Sequence, residues 1–305
     1  MLALAIVPLP PPRAAGQEVV GRRVFSDQLV ISEPFVEDEL SLPSIFHIRR
    51  PGLAEHSHTR STEIEAEVKK RLTTNLELSL AGGVTHLGGD AGASSVSGLQ
   101  NVVLGLKYQL IRSEATETVM SVGLGWEIGG TGRTAVGAER VDTVTPSILL
   151  GKGLGDLPGA MALARPLAAA VLVQLIAPTA AQTRTGGTIE PHPNSIRWGL
   201  VVEYSVPYLQ SYVCDLGIPA PLNRMVPILE IERQTFVDRR SRGTSVGTAN
   251  PGVVWIGNLV QVGVEAAIPL NERTGTNVGI RAFLRFGLDE LFGRRFGEPV
   301  FNASR

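Results

Sequence analysis

Apolar and polar residues alternate with a period of two along most of this chain, in about a dozen stretches separated by turn-forming segments. Between Leu99 and Leu110, Val102, Leu104, Leu106, Tyr108 and Leu110 share one parity, while Asn101, Gly105, Lys107 and Gln109 share the other. A strand sends successive side chains to opposite faces, so this rhythm predicts strands with one oily and one polar side. The stretches, most of roughly nine to thirteen residues, suit a tilted strand crossing a bilayer.

The polar parity is too charged to face hydrocarbon. From Glu63 to Leu72 it carries Glu63, Glu65, Glu67, Lys69 and Arg71 against Ile64, Ala66, Val68 and Leu72. One cationic side chain on the lipid face near the midplane costs about 2–4 kcal/mol, so such a row belongs in a wet lumen or on a soluble surface. The parity recurs with Met120, Val122, Leu124, Trp126 and Ile128 against Ser121, Gly123, Gly125, Glu127 and Gly129, and again from Ile196 to Val206, Val260 to Ile268 and Val278 to Phe286. The expected lumen-lining set is Glu63, Glu65, Glu67, Lys69, Arg71, Lys107, Glu127, Lys152, Arg197, Glu203, Glu230, Glu232, Arg233, Glu265, Arg281 and Arg285. Repeated around a closed sheet, the pattern predicts an all-β fold, a closed antiparallel transmembrane β-barrel of about twelve strands.

The expected strands are 44–50, 62–72, 76–87, 98–111, 118–129, 142–153, 166–177, 195–206, 225–236, 250–257, 259–269 and 277–288. Their connections alternate in length. Tight ones fall at 73–75, 113–117 and 257–258, and long polar ones at 88–97, 130–141, 178–194, 237–249 and 270–276, which places both termini on the periplasmic side. Residues 154–165 and 207–224 are long for periplasmic connections, and Tyr208, Leu209, Tyr212 and Val213 in the second suggest a short amphipathic interfacial helix.

The expected organisation is a signal peptide over residues 1–16, whose basic start is missing so that Met1 need not be the true initiator, a periplasmic arm or lumen plug over 17–42, the barrel over 43–290 and a tail over 291–305. Glycine, at 34 of 305 residues, suits turns and crowded lumens. A formal charge of −1 offers no broad basic face, so no nucleic-acid partner is expected. Lone Cys214 excludes a disulfide framework and a CxxC metal pair. No run of about twenty uninterrupted apolar residues supports a helical span.

No constellation of residue types in the chain supports catalytic chemistry. The glycine-rich stretches at 123–132 and 151–155 lack a Gly-Lys-Ser/Thr ending. His56 and His58 have no third metal ligand. Glu63, Glu65 and Glu67 stand about 7 Å apart on one face, but Lys69 and Arg71 beside them favour simple ionisation. Ser79 and His86 share a strand too far apart to act as nucleophile and base. No enzyme activity, metal or cofactor is expected.

The chain resembles the outer-membrane barrel family labelled MetA-pathway of phenol degradation, over residues 24 to 300. The resemblance rests on Val24-Phe25-Ser26-Asp27, Pro34-Phe35-Val36-Glu37-Asp38-Glu39, His47-Ile48-Arg49-Arg50-Pro51, Gly123-Leu124-Gly125-Trp126-Glu127, Gly151-Lys152-Gly153-Leu154-Gly155-Asp156-Leu157-Pro158 and Asn250-Pro251-Gly252-Val253. It implies an exported, transport-related barrel in a Gram-negative outer membrane, with membrane lipid as partner and small aromatic or hydrophobic compounds as candidate solutes. It carries over no catalytic residue. Unlike many such barrels, which finish on an aromatic residue, this chain continues past Phe301 to Arg305. The expectation is a channel or transporter for small solutes. The alternatives are a structural or adhesive barrel with an occluded lumen, a barrel-embedded hydrolase, and a soluble β-sandwich, whose half-buried sheets also alternate.

Overall fold

The computed structural model describes residues 19–50, 59–89, 94–185, 188–238 and 241–301. Twelve antiparallel strands close into a barrel: β1 (Glu39–Arg50), β2 (Thr59–Arg71), β3 (Leu76–Gly89), β4 (Val96–Leu99 and Val102–Ser113, interrupted at Gln100 and Asn101), β5 (Thr118–Ile128), β6 (Thr143–Gly153), β7 (Leu167–Pro178), β8 (Ser195–Tyr204), β9 (Met225–Phe236), β10 (Ser245–Ile256), β11 (Gln261–Pro269) and β12 (Gly279–Gly287). Each pairs with its neighbours in sequence, and β12 returns to β1 with Ile280 opposite His47 and Gly287 opposite Glu39. Closure removes the unpaired edges that a bilayer cannot solvate.

The outward face is hydrocarbon-like. Leu80, Val84, Leu106, Leu124, Ile148, Val173, Leu229 and Val264 are each 43–52% exposed, and between them along the strands lie buried or lumen-facing residues. This is the apolar band of a transmembrane barrel of the outer-membrane type. The soluble sandwich expectation fails here, because these side chains are not covered by a second sheet.

Two bulges adjust the parity. In β1, Ser41 faces Glu67 and Ser44 faces Glu65, so one extra residue is accommodated at Leu42-Pro43. Inward positions pass there from Glu39 and Ser41 to Ser44, Phe46 and Ile48. Pro43 has no N–H to donate, which suits it to a bulge. In β4, Gln109 pairs with Ser121 and Ile111 with Met120, leaving Leu110 extra; Leu110 and Ile111 both face outward at 50% exposure.

The first and last described residues, Val19 and Phe301, and the connections at 72–75, 114–117, 154–166, 205–224 and 257–260 share one end, here the turn side; the other end is the loop side. The 205–224 connection contains a helical turn, Val206–Tyr208, continuing as a π turn over Leu209–Val213. It buries Tyr208 and Leu209, and places Tyr208 and Tyr212 under the guanidinium groups of Arg23 and Arg22 at 4.7 and 5.5 Å. The interfacial helix expected from these residues therefore turns its aromatic side to the N-terminal segment. After β12, a helix (Leu288–Phe292) and a 3-10 turn (Arg294–Gly297) lead to a tail hydrogen-bonded to β2 through Val300 N–H to Arg71 O at 3.1 Å.

Candidate functional site

Residues 19–38 run through the lumen at the turn side and fill it. The segment starts with a small hairpin, Val19–Val20 against Arg23–Val24, and its later residues are almost all buried. It carries both apolar anchors and charged groups, and the barrel wall around it offers partners for each. Val20, Phe25 and Phe35 pack with Val119 and Ala168; Val30 and Ile31 pack with Leu149, Ala170, Leu172 and Val201; Val24 and Leu29 pack against Val226, Ile228, Val254 and Phe283. Small inward residues make the room. A Cβ on Gly199 would overlap Ile31, and one on Gly151 would come within 3.0 Å of Pro34.

The charged wall meets the plug backbone. Glu230 accepts hydrogen bonds from the N–H groups of Leu29, Val30 and Ile31 at 2.6, 3.1 and 3.3 Å. Glu203 accepts from Ser26 through its N–H at 3.1 Å and its hydroxyl. Lys107 donates to Phe35 O at 2.6 Å, Arg197 to Val30 O at 2.9 Å and Arg285 to Gln28 O at 2.5 Å. These bonds satisfy irregular backbone that has no ladder of its own.

Side-chain ion pairs complete the seat. Lys69 is 4% exposed and bonded to Glu33, with Glu39 at 3.0 Å and Glu37 at 3.4 Å. Arg285 lies 3.4 Å from Glu33 and 3.6 Å from Asp27. Glu77 holds Lys107 at 3.1 Å and accepts the Glu37 N–H at 2.7 Å. At the entrance, Arg23 is fully buried between Glu117 at 3.0 Å and the carbonyls of Arg165 and Pro166. Within the plug, burial first and neighbouring Glu39 second push the Asp27 carboxyl well above the ordinary carboxylate range, and burial with Glu33 does the same to Glu37. Burial also works against ionising Glu33, but the ammonium of Lys69 and the guanidinium of Arg285 outweigh it and hold that group well below its usual value.

Beyond the plug on the loop side, several cavities remain among the described residues, and two of those floored by the plug are large. One of about 460 Å³ is floored by Leu29 and Val30 and walled by Phe46, Ile48, Arg50, Glu63, Glu65, Arg197, Glu232, Gln234, Thr248, Arg273 and Arg281. The other, of about 320 Å³, is floored by Ser32 and walled by Glu67, Lys69, Glu77, Ser79, Lys107, Glu127, Gln174 and Arg197.

The residues expected in the lumen divide into three groups. Lys69, Lys107, Glu203, Glu230 and Arg285 hold the plug, with Arg71 at its base, where Arg71 donates to Asp38 at 2.7 Å. Glu265 is buried beside Glu230. Glu63, Glu65, Glu67, Glu127, Arg197, Glu232 and Arg281 line the cavities; Glu63 takes Arg50 at 2.6 Å, and Glu232 takes Arg197 at 2.6 Å and Arg281 at 3.2 Å. Lys152 and Arg233 are corrections, since both project outward. Lys152 pairs across to Thr118 and Ala169 between inward Gly151 and Gly153, and binds Asp156 at 2.9 Å at the turn-side rim. Arg233 follows inward Glu232, sits opposite outward Trp198, and reaches Ser245 at 3.2 Å near the loop-side rim. Adjacent residues on a strand cannot share a face.

Arg23, Asp27, Glu33, Glu37, Arg50 and Glu77 do not belong to the expected lumen-lining set. Glu77 lies on the polar parity of β3 and was legible there; the plug residues follow no period. Ser79 faces the lumen and His86 faces outward, so they do not meet. His56 and His58, like the signal-peptide expectation at 1–16, lie outside the described residues.

No family model matches this chain, and no curated protein matches it. Solved structures do. The barrel is similar to the NanC porin (10% identity, 81% of this chain and 98% of that chain, TM-score 0.48), to the KdgM porin in complex with disordered oligogalacturonate (10% identity, 81% and 99%, TM-score 0.45) and to LpxR from Salmonella typhimurium (11% identity, 82% and 100%, TM-score 0.42).

Proposed function

We propose that this protein is an outer-membrane channel for small solutes that its own N-terminal segment closes, with the loop side facing outward and the termini in the periplasm. The observation that carries this reading is the seat of residues 19–38: wall carboxylates and cations bind plug backbone, contacts that water can replace when the segment moves out. A twelve-stranded barrel is wider than the eight-stranded ones that side chains alone can fill, so removing the segment opens a path. The cavities lined by Glu63, Glu65, Arg197 and Arg281 then act as an outer vestibule that selects polar or ionised solutes. Kinship with the phenol-degradation barrels belongs to the same proposal, and its lean toward aromatic compounds is met by Phe46, Ile48 and Phe283 on the vestibule wall.

Planar-bilayer conductance tests it. The full chain is expected to pass little current, and the chain lacking residues 19–38 a large, stable current, with folding of both checked by heat-modifiable gel mobility. A folded, non-conducting deletion variant overturns the channel. That result supports the second reading, an occluded structural or adhesive barrel, which the near-complete burial of the plug favours.

A further inference from the structure

One buried carboxyl of the wall has no direct contact with the plug backbone. Glu265 of β11 is 2% exposed, and among the described residues neither of its oxygens receives an N–H donor or pairs with a cation. The cation across from it in register is turned away: Arg281 of β12 pairs instead with Glu232 at 3.2 Å and stacks over the Phe46 ring at 3.6 Å. On its other side Glu265 faces Gly252 of β10, where a Cβ would overlap the Glu265 side chain. Gly252 thus lets Glu265 lie flat across β10 toward β9, and its carboxyl reaches that of Glu230.

Two carboxyl groups in contact at a buried site do not both ionise, because repulsion adds to the cost of desolvating each charge. The plug decides which of the two keeps its proton. Both oxygens of Glu230 are engaged by the N–H groups of Leu29, Val30 and Ile31, and such donors favour the anion. Glu265 accepts no such bond; as an acid it needs one acceptor for its O–H, and the Glu230 carboxylate stands beside it. The surroundings do not offset this. Glu232 on β9 is taken up by Arg197 and Arg281, β10 presents Asn250 and Gly252, and apolar Val201 of β8 lies across from Glu230.

We infer that Glu265 is a neutral carboxylic acid in the closed barrel and a positioning residue of the plug seat, its O–H donating to Glu230 and holding that carboxylate against the three plug N–H groups. A hydrogen bond from a hydroxyl to a carboxylate is among the strong ones, so it fixes the Glu230 side chain firmly. The pair carries a single negative charge, and the three plug donors meet it. The inference rests on the seated plug and not on conduction, and its test measures no current.

The full-length protein and its Glu265→Gln variant are compared by infrared difference spectroscopy at neutral pH. The wild type is expected to show the carbonyl stretch of a protonated carboxylic acid that the variant lacks; no such difference band overturns the inference. The second readout is protease cleavage after Arg22 in the folded barrel. Glu265→Gln keeps an N–H donor for Glu230 and is expected to protect the plug as wild type does. Glu265→Leu, of similar volume, removes the donor and is expected to be cleaved about tenfold faster. Heat-modifiable mobility confirms folding, and the infrared comparison stands even if the Leu variant does not fold. A side chain that only filled space would make Gln and Leu alike, so equal cleavage of the two, or a Leu variant as protected as wild type, also overturns it.

Discussion

The Glu230 carboxylate receives the backbone N–H of Val30 at 3.1 Å, and the neighbouring N–H groups of Leu29 and Ile31 converge on the same two oxygens. One wall residue thus satisfies three consecutive plug donors. Glu230→Ala leaves those donors unpaired in a buried setting, at about 1–3 kcal/mol for each group. The plug is expected to spend most of its time unseated, seen as rapid protease cleavage after Arg22 or Arg23 in a barrel that remains folded. Protection equal to wild type would show that Glu230 does not hold it.

Gly199→Val tests the same seat by shape alone. A side chain there would occupy the space of Ile31 Cγ2, and overpacking of this kind costs about 1–3 kcal/mol. Position 199 faces the lumen, so the expected outcome is plug release without loss of barrel stability, read as higher conductance at unchanged heat-modifiable mobility.

Lys69→Met removes the cation shared by Glu33, Glu37 and Glu39. Breaking a buried pair by deleting one partner costs about 3–5 kcal/mol, because the remaining charge stays uncompensated. The variant is expected to conduct at neutral pH and to close again on acidification, as the orphaned carboxyls take up protons.

In the wild-type protein, pH acts through Asp27 and Glu37. Their seated-state pKa values are raised, so the stability they lend is present below the ordinary carboxylate range and is lost as pH rises through the raised values. Glu33 is lowered, so its contribution is present above the ordinary range and fails only below it. Current through the full chain is therefore expected to increase as pH rises above the ordinary carboxylate range. A flat profile would remove these two groups from the gate.

Outside the barrel, Ile148→Arg places a charge at the middle of β6 on the hydrocarbon face, at about 2–4 kcal/mol. Folding into vesicles is expected to weaken by that amount, measured by urea titration of tryptophan fluorescence.

Strand positions were legible because lipid outside and polar groups inside impose one parity on the whole wall. The expected 225–236 and the observed Met225–Phe236 coincide. The first strand was read five residues short because Pro43 sits in a bulge that switches the inward parity, so Glu39 and Ser41 fall out of step with Ser44 and Phe46. Lys152 and Arg233 lie on the outward parity although their charge argues for the lumen, because rim positions tolerate outward cations. The plug's exact contacts were illegible for a different reason: residues 19–38 form no regular element beyond a two-residue hairpin, and their partners Lys69, Glu230 and Arg285 are scattered over the whole length of the chain.

Asp38, the last residue of the plug, is clamped by Lys70 at 2.6 Å and Arg71 at 2.7 Å immediately before β1 begins. A displaced segment therefore stays leashed at the mouth it has just left, at an effective concentration of about a millimolar or more. Reclosure is then a unimolecular event, indifferent to how many copies the membrane holds, and each barrel resets on its own clock.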